Sequence, residues 1–304
     1  MILYGAPVRE EIKKKLIKRV KRLRKKPCLA IIQVGDKEDS NIYIRKKEEF
    51  GKDIGAEVVV RKFKLDTNTR IKANDTNGKK VIEEIEKLNR DKKVNGIIVQ
   101  LPLPVGLNTK KIIQAIDADK DADGLREIKE KRENGVLITP ATAKAVMALL
   151  DFYKIKMRDK KVAVIGQSIL AGKPISDEFE KRGAKVFRCD TKTQNIPAIA
   201  KKCDILISAV GKAGLVTKKF VNKKQAVIDV GINRTPPPGP LPKGEGVSDS
   251  LPLGGRAGDG VSKLVGDAKF EEIEPIVRAI TPVPGGVGPL TVACLFENLL
   301  DLCK

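Results

Sequence analysis

The chain of 304 residues contains no histidine and no tryptophan, and aromatic residues make up only 4% of it. Without histidine, Ser-His-Asp triads, histidine-ligated zinc and imidazole general bases are excluded, so acid–base work falls to Lys, Asp, Glu or Tyr. No metal centre is expected. No run of about 18 apolar residues exists, and Met1, Ile2 and Leu3 lead straight into a Lys/Arg-rich stretch without the apolar core of a signal peptide. These absences predict a cytoplasmic protein with no membrane contact. The five cysteines, Cys28, Cys189, Cys203, Cys294 and Cys303, show no CxxC or metal-like spacing and sit in or beside apolar segments. They read as reduced core or edge thiols.

Positive charge, in contrast, is abundant: 60 Lys and Arg against 39 Asp and Glu give a formal net charge of +21. A nucleic-acid-binding protein would use such charge, but here the basic residues are spread along helical stretches with no aromatic interleaving. The balance favours a solvated lysine-rich surface with no nucleic-acid partner, and a lesser role in attracting small polyanions.

The length suffices for two ordinary domains with their own cores. Apolar β-branched runs alternate with amphipathic stretches, the pattern of parallel sheets covered by helices, so the expected fold class is α/β. In the first half strands are predicted over residues 28–34, 58–63 and 96–101, and helices over 9–23, 41–54 and 79–88. A turn at Thr139-Pro140 leads into a helix over 143–152 that links the two domains. A second series follows, with strands over 162–165, 184–188, 205–210 and 226–230, and the chain closes on an apolar helix over 292–302.

The second series carries a cofactor signal. The strand 162–165 runs into Gly166, Gln167 and Ser168, then Gly172-Lys173-Pro174 and a helix, a strand, small-residue turn and helix N-terminus suited to a pyrophosphate. Alone this GxSxxxGxP string is a weak signal, because it departs from GxGxxG. Two further strands end near Gly211 and Gly231, at the carboxyl edge where nucleotides lie. In the first half, Tyr43 and Lys47 stand four residues apart on a predicted helix and are expected to project together. A lysine shuttles protons near neutral pH only when desolvation or nearby cations lower its pKa; the local alternative is a snorkelling surface pair. Gln100 and Asp123 are polar residues breaking apolar context, as site residues or as hydrogen-bonded caps. Residues 282–291, PVPGGVGPLT, hold three glycines and three prolines and suggest backbone shaped for close approach to a ligand.

Together the strings SNIYIRKK (40–47), IIVQLPLP (97–104), KDADG (120–124), GQSILAGKP (166–174), DVGIN (229–233) and PVPGGVGPLT closely resemble, in order, the signatures of the bifunctional methylenetetrahydrofolate dehydrogenase/methenyltetrahydrofolate cyclohydrolase family, FolD. The resemblance covers nearly the whole chain, and VQLPLP and PGGVGP are its most specific elements. It implies a two-domain α/β fold with a cleft: a folate-side catalytic domain of residues 1–141 plus 281–304, and a Rossmann-like NAD(P)-binding domain of residues 142–280. Lys47 is then the proton shuttle, Gln100 the residue that tunes it, Asp123 the grip on the pterin and Tyr43 a stacking surface for the folate. Leu101, Pro102, Pro284, Gly285 and Gly286 would line the substrate cleft. Gly166, Gln167, Ser168, Gly172, Asp190, Thr191, Gly211, Gly231, Ile232 and Gly288 would hold the dinucleotide. The implied reaction passes a hydride from 5,10-methylenetetrahydrofolate to NAD or NADP, then hydrolyses the methenyl product to 10-formyltetrahydrofolate, with tetrahydrofolate as the carrier. The resemblance alone implies a homodimer through the second domain.

Several positions depart from the family pattern. The stretch from Asp123 to Thr139 is shorter by a few residues, Ile138 stands for a usual cysteine, Thr142 for a usual glycine, and Gln167 for a frequent arginine. Where relatives often carry His-Ser after the second Rossmann strand, this chain has Asp190-Thr191. An acid there favours the free ribose 2′-hydroxyl of NAD, although Arg188 and Lys192 flank it. Half of residues 235–260 are Gly or Pro, which predicts a flexible surface insertion. A relative that binds folate or dinucleotide without full turnover, or that keeps one activity of the two, stands as the alternative.

Overall fold

The computed structural model describes residues 1–64, 72–127, 135, 137–235 and 263–303. Nearly all of the Gly/Pro-rich insertion, and residues 128–134 and 136 of the shortened stretch after Asp123, lie outside the described residues.

The first half opens with α1 (Gly5–Val20), which buries Val8, Ile12 and Leu16 at four-residue spacing as an amphipathic helix should. It starts four residues earlier than its pattern predicts, because Pro7 is tolerated in a first turn whose N–H groups have no helical partner. Next come β1 (Cys28–Val34), α2 (Glu38–Ile54), β2 (Glu57–Phe63), α3 (Lys72–Arg90), β3 (Gly96–Val99), α4 (Thr109–Gln114) and α5 (Ala141–Phe152). Strand β1 is buried at every position, as befits the centre of a parallel sheet of order β2-β1-β3. The predicted strand over 96–101 ends at Val99. Gln100 N–H still bonds Ile32 O at 2.8 Å, but Pro102 has no N–H to continue the ladder.

The second half supplies β4 (Lys161–Ile165), α6 (Gly172–Lys181), β5 (Lys185–Cys189), α7 (Ile196–Lys201), β6 (Ile205–Ser208), β7 (Ala226–Asp229), β8 (Asn233–Thr235), β9 (Lys263–Val265), α8 (Phe270–Ile273), β10 (Ala279–Ile280) and α9 (Gly288–Leu302). Five of these strands form a parallel sheet of order β10-β7-β6-β4-β5, the expected Rossmann-like layer. β8 and β9 pair antiparallel, Asn233 opposite Val265. They form the base of the loop that the insertion extends.

The last helix starts at Gly288, not at 292: Pro289 sits in its first turn, and Leu290 is already fully buried. Helix α9 packs on α1, α5 and α2, with Phe296 and Phe50 rings 5.4 Å apart, so the end of the chain completes the core of the first half. The chain start does the reverse. Leu3 N–H bonds Ile280 O at 2.8 Å and Gly5 N–H bonds Gly285 O at 2.8 Å, tying residues 1–5 to β10 and the glycine-rich loop. All five cysteines are unpaired; burial pushes the Cys294 thiol up to about 12, which marks it as inert core. Among the described residues no helix is long and apolar enough to cross a membrane.

Candidate active site

Three of the sequence-predicted residues meet at the carboxyl edge of the first sheet. Lys47 reaches from the middle of α2, and its Nζ donates to Gln100 Oε1 at 2.7 Å. Gln100 is held in that sense because its Nε2 donates to Leu101 O at 2.9 Å. Asp123 stands opposite, in a loop braced by its buried neighbour Asp121, whose carboxylate accepts from the N–H groups of Gly124 (2.9 Å) and Arg126 (2.8 Å). The three line a cavity of about 170 Å³ together with Leu101, Thr142 and Leu170. Pro102, joined to Leu101 by a cis peptide, does not line it.

The electrostatics of this pocket follow from burial. Desolvation lowers the Lys47 pKa from the ordinary lysine value, opposed by attraction to Asp123. Asp123 keeps a partly exposed edge yet is closely surrounded by protein. Desolvation accordingly raises its carboxyl from 3.8 to about 6, against the pull of Lys47 and with a push from Asp121. Because folding raises this pKa, the stability that Asp123 contributes is fully present below about 4 and is lost as pH rises through about 6. For the chemistry the sign is opposite, since protonation removes the Asp123 carboxylate. The rate of the methenyl hydrolysis that the family resemblance implies, corrected for the uncatalysed rate, is therefore expected to fall as pH drops through about 6. A profile flat through that range would take Asp123 out of the reaction.

Tyr43 does not join this group. Although it lies one turn from Lys47 on α2, its ring lines a second, larger cavity of about 370 Å³ with Gly231, Ile232, Pro284, Gly285, Gly286 and Gly288, and the two cavities share no lining residue. The cation over its ring is Lys46 Nζ, 5.6 Å from the centroid, not Lys47. Positions i and i+4 on a helix are rotated and raised relative to each other, enough here to send the two side chains into neighbouring cavities.

The turn after β4 has a geometry that only glycine permits. Gly166 has φ +90°, and a Cβ on it would lie 2.4 Å from Ala209 O; a Cβ on Gly172 would lie 1.7 Å from Gly166 O. The N-terminus of α6 is thereby drawn against the strand end, with no side-chain cap and no acid in its first turn. Such a terminus can hold a pyrophosphate. Ser168 is exposed there, whereas Gln167 folds back, its Nε2 donating to Val164 O at 3.1 Å. Past β5, exposed Asp190 accepts from Lys192 N–H at 2.9 Å and Thr193 Oγ1 at 3.0 Å, and these hydrogen bonds hold its pKa down. Thr191 lies exposed in the same turn. The Arg188 guanidinium is committed elsewhere, to Asp177 at 2.6 Å and Glu180 at 2.8 Å.

Two supporting residues escaped the sequence reading. Asn298 in α9 donates from Nδ2 to both Ala122 O and Thr139 O at 2.9 Å, clasping the two flanks of the loop that carries Asp123. Asn298 is fully buried, but in the sequence it is one polar residue beside Glu297 and near Asp301 in the same helix, so no local signal marked it. Asp267, fully buried behind Gly231, had none beyond its place in a Gly-Asp pair.

Comparison with known proteins bears on both halves. The catalytic-domain model of the tetrahydrofolate dehydrogenase/cyclohydrolase family matches residues 3–123, and its NAD(P)-binding-domain model matches residues 140–304. The bifunctional protein FolD of Thermodesulfovibrio yellowstonii is 37% identical over 308 residues, covering 100% of this chain and 96% of that protein. FolD 2 of Lactobacillus johnsonii is 35% identical, covering 100% and 97%. Among solved structures, the bifunctional FolD methylenetetrahydrofolate dehydrogenase/cyclohydrolase of Campylobacter jejuni superposes with a TM-score of 0.82 at 32% identity, covering 100% of this chain and 98% of that one. The Trypanosoma brucei enzyme, complexed with NADP and an inhibitor, gives 0.82 at 29% identity, covering 100% and 97%. With both family domains matched in order along a fold whose two sheet edges carry these pockets, the chain belongs to the tetrahydrofolate dehydrogenase/cyclohydrolase family.

Proposed function

We propose that this protein oxidises 5,10-methylenetetrahydrofolate with a nicotinamide dinucleotide and hydrolyses the resulting methenyl cation to 10-formyltetrahydrofolate, both at the edge of the first sheet. The observation that carries this reading is the desolvated Lys47, hydrogen-bonded to Gln100 and facing Asp123 in one cavity.

The glycine cradle between Gly166 and Gly172 fits a dinucleotide pyrophosphate, since a Cβ at either position would strike backbone. When bound, the dinucleotide supplies the hydride acceptor. That step needs positioning more than acid or base, and the cleft residues Leu101, Pro284, Gly285 and Gly286 provide surface rather than charge. Hydrolysis needs one base of moderate pKa. Lys47 in its neutral form takes a proton from water as the oxygen bonds to the methenyl carbon. A proton then leaves the new hydroxyl and one reaches the ring nitrogen as its bond to that carbon breaks. Gln100 holds the lysine in place, and Asp123 holds the pterin while stabilising the ammonium once it forms. Tyr43 offers its ring to the extended part of the folate, in the larger cavity.

NAD is the preferred oxidant in this reading, because Asp190 would repel a ribose 2′-phosphate and Arg188, the nearest guanidinium, is already paired with Asp177 and Glu180. Asp190→Ser is expected to raise the ratio of kcat/KM for NADP to that for NAD by about tenfold, one like-charge contact being worth at least that much. An unchanged ratio would mean that Asp190 does not face the ribose. A homodimer formed through the second domain, on the strength of the family resemblance, and a cytoplasmic location, expected from the lack of a signal-peptide core or long apolar run in the sequence, complete the proposal. Initial velocities with methylenetetrahydrofolate and either dinucleotide, with methenyl product counted after acid quench, test the whole. Absence of turnover with both dinucleotides would leave a hydrolase or a binding protein.

A further inference from the structure

The carboxylate of Asp267 is fully buried between the ends of β6 and β7 and lines neither cavity. Its Oδ2 accepts from Ser208 Oγ at 2.9 Å, Val210 N–H at 2.8 Å and Gly211 N–H at 3.3 Å. Its Oδ1 accepts from Lys212 N–H at 2.8 Å and the Asn233 side-chain amide at 3.0 Å. Three successive backbone N–H groups converging on one point form the kind of concavity that elsewhere takes a phosphate. Here the chain fills it with its own side chain.

The surrounding glycines serve this arrangement. A Cβ on Gly231 would lie 2.1 Å from Asp267 Oδ1, and one on Gly266 would lie 2.0 Å from Asp229 Oδ2. Asp229 mirrors Asp267, accepting at Oδ1 from the N–H groups of Gly231 (2.9 Å) and Asp267 (3.1 Å), and at Oδ2 from Ala268 N–H at 2.7 Å. The two carboxylates thus bind residues 208–212, 229–233 and 266–268 into one unit.

We propose that Asp267 is a positioning residue for the dehydrogenase. It fixes the 209–212 loop and residues 229–233 as a single rigid wall at the carboxyl ends of β6 and β7, against which the nicotinamide half of the dinucleotide rests. By occupying the N–H groups of residues 210–212 it also leaves the Gly166–Gly172 turn as the place for phosphate. This rests on the dinucleotide reading proposed above.

Asp267→Asn tests it. The variant keeps the shape but turns a donating amide toward backbone donors, so the wall loses its anchor. The KM for the dinucleotide is expected to rise by about tenfold or more, with a smaller change in kcat at saturating dinucleotide. Hydrolysis of methenyltetrahydrofolate at saturating concentration and without dinucleotide should stay within about twofold, since neither Asp267 nor any of its partners lines the cavity of Lys47, Gln100 and Asp123. A parallel fall in both activities, or an unchanged KM, overturns the assignment. Should the variant not yield folded protein, Asn233→Ala removes one donor and keeps the carboxylate. It is expected to raise the dinucleotide KM by about threefold, in keeping with loss of one ordinary hydrogen bond, and an unchanged KM again overturns the proposal. Wild-type protein inactive with both dinucleotides would instead remove the dehydrogenase reading itself.

Discussion

Lys47→Met is expected to cut enzymatic methenyl hydrolysis by about a hundredfold or more, the usual contribution of a positioned general base, while dinucleotide binding is unchanged. Methionine fills much of the same space and cannot take a proton. The loss should be specific because Lys47 lines the small cavity and not the larger one, and the Gly166–Gly172 turn lies on the other sheet. Hydride transfer should fall much less, since positioning survives. Stopped-flow hydrolysis and dinucleotide titration of the same preparation measure both quantities. An undiminished hydrolysis rate would remove Lys47 from the mechanism and leave its bond to Gln100 a structural contact.

Gly172→Ala is expected to produce the complementary defect. The added Cβ would meet Gly166 O at 1.7 Å and Gly166 C at 2.7 Å, both backbone atoms, so no flexible side chain can give way. The N-terminus of α6 must withdraw from the strand end, and the converging N–H groups lose their shared focus. The dinucleotide KM should rise by about a hundredfold, the scale of losing two or more charge-assisted hydrogen bonds. Hydrolysis, which uses no dinucleotide, should persist. A normal KM would place the phosphate elsewhere.

Much of the fold was legible because its strands are buried on both faces and therefore read as continuous apolar runs. Strand β1 falls where its pattern puts it, at residues 28–34. The errors have local causes. The strand expected over 205–210 ends at Ser208 because the following N–H groups turn to Asp267, and a side chain 57 positions away leaves no mark on a local pattern. Helix α3 begins at Lys72, before the predicted 79, although Asn, Asp and Gly in that stretch are weak helix formers. The lysine, glutamine and aspartate of the first pocket were nameable from their strings. Their grouping without Tyr43 was not, since helical spacing gives a shared face but not the cavity that each side chain enters. Asn298 clasps backbone 176 and 159 positions distant, a relation that only the folded chain contains.

The placement of α9 governs the order in which the molecule assembles. Residues 288–302 close the apolar faces of α1 and α5 and clasp the Asp123 loop, yet they are made after every strand of the second sheet. The strands of the second sheet all emerge earlier, and none of their pairings needs a residue of α9. The first-made half thus completes its core only after the later half has been made, and the loop that carries Asp123 gains its Asn298 clasp only then.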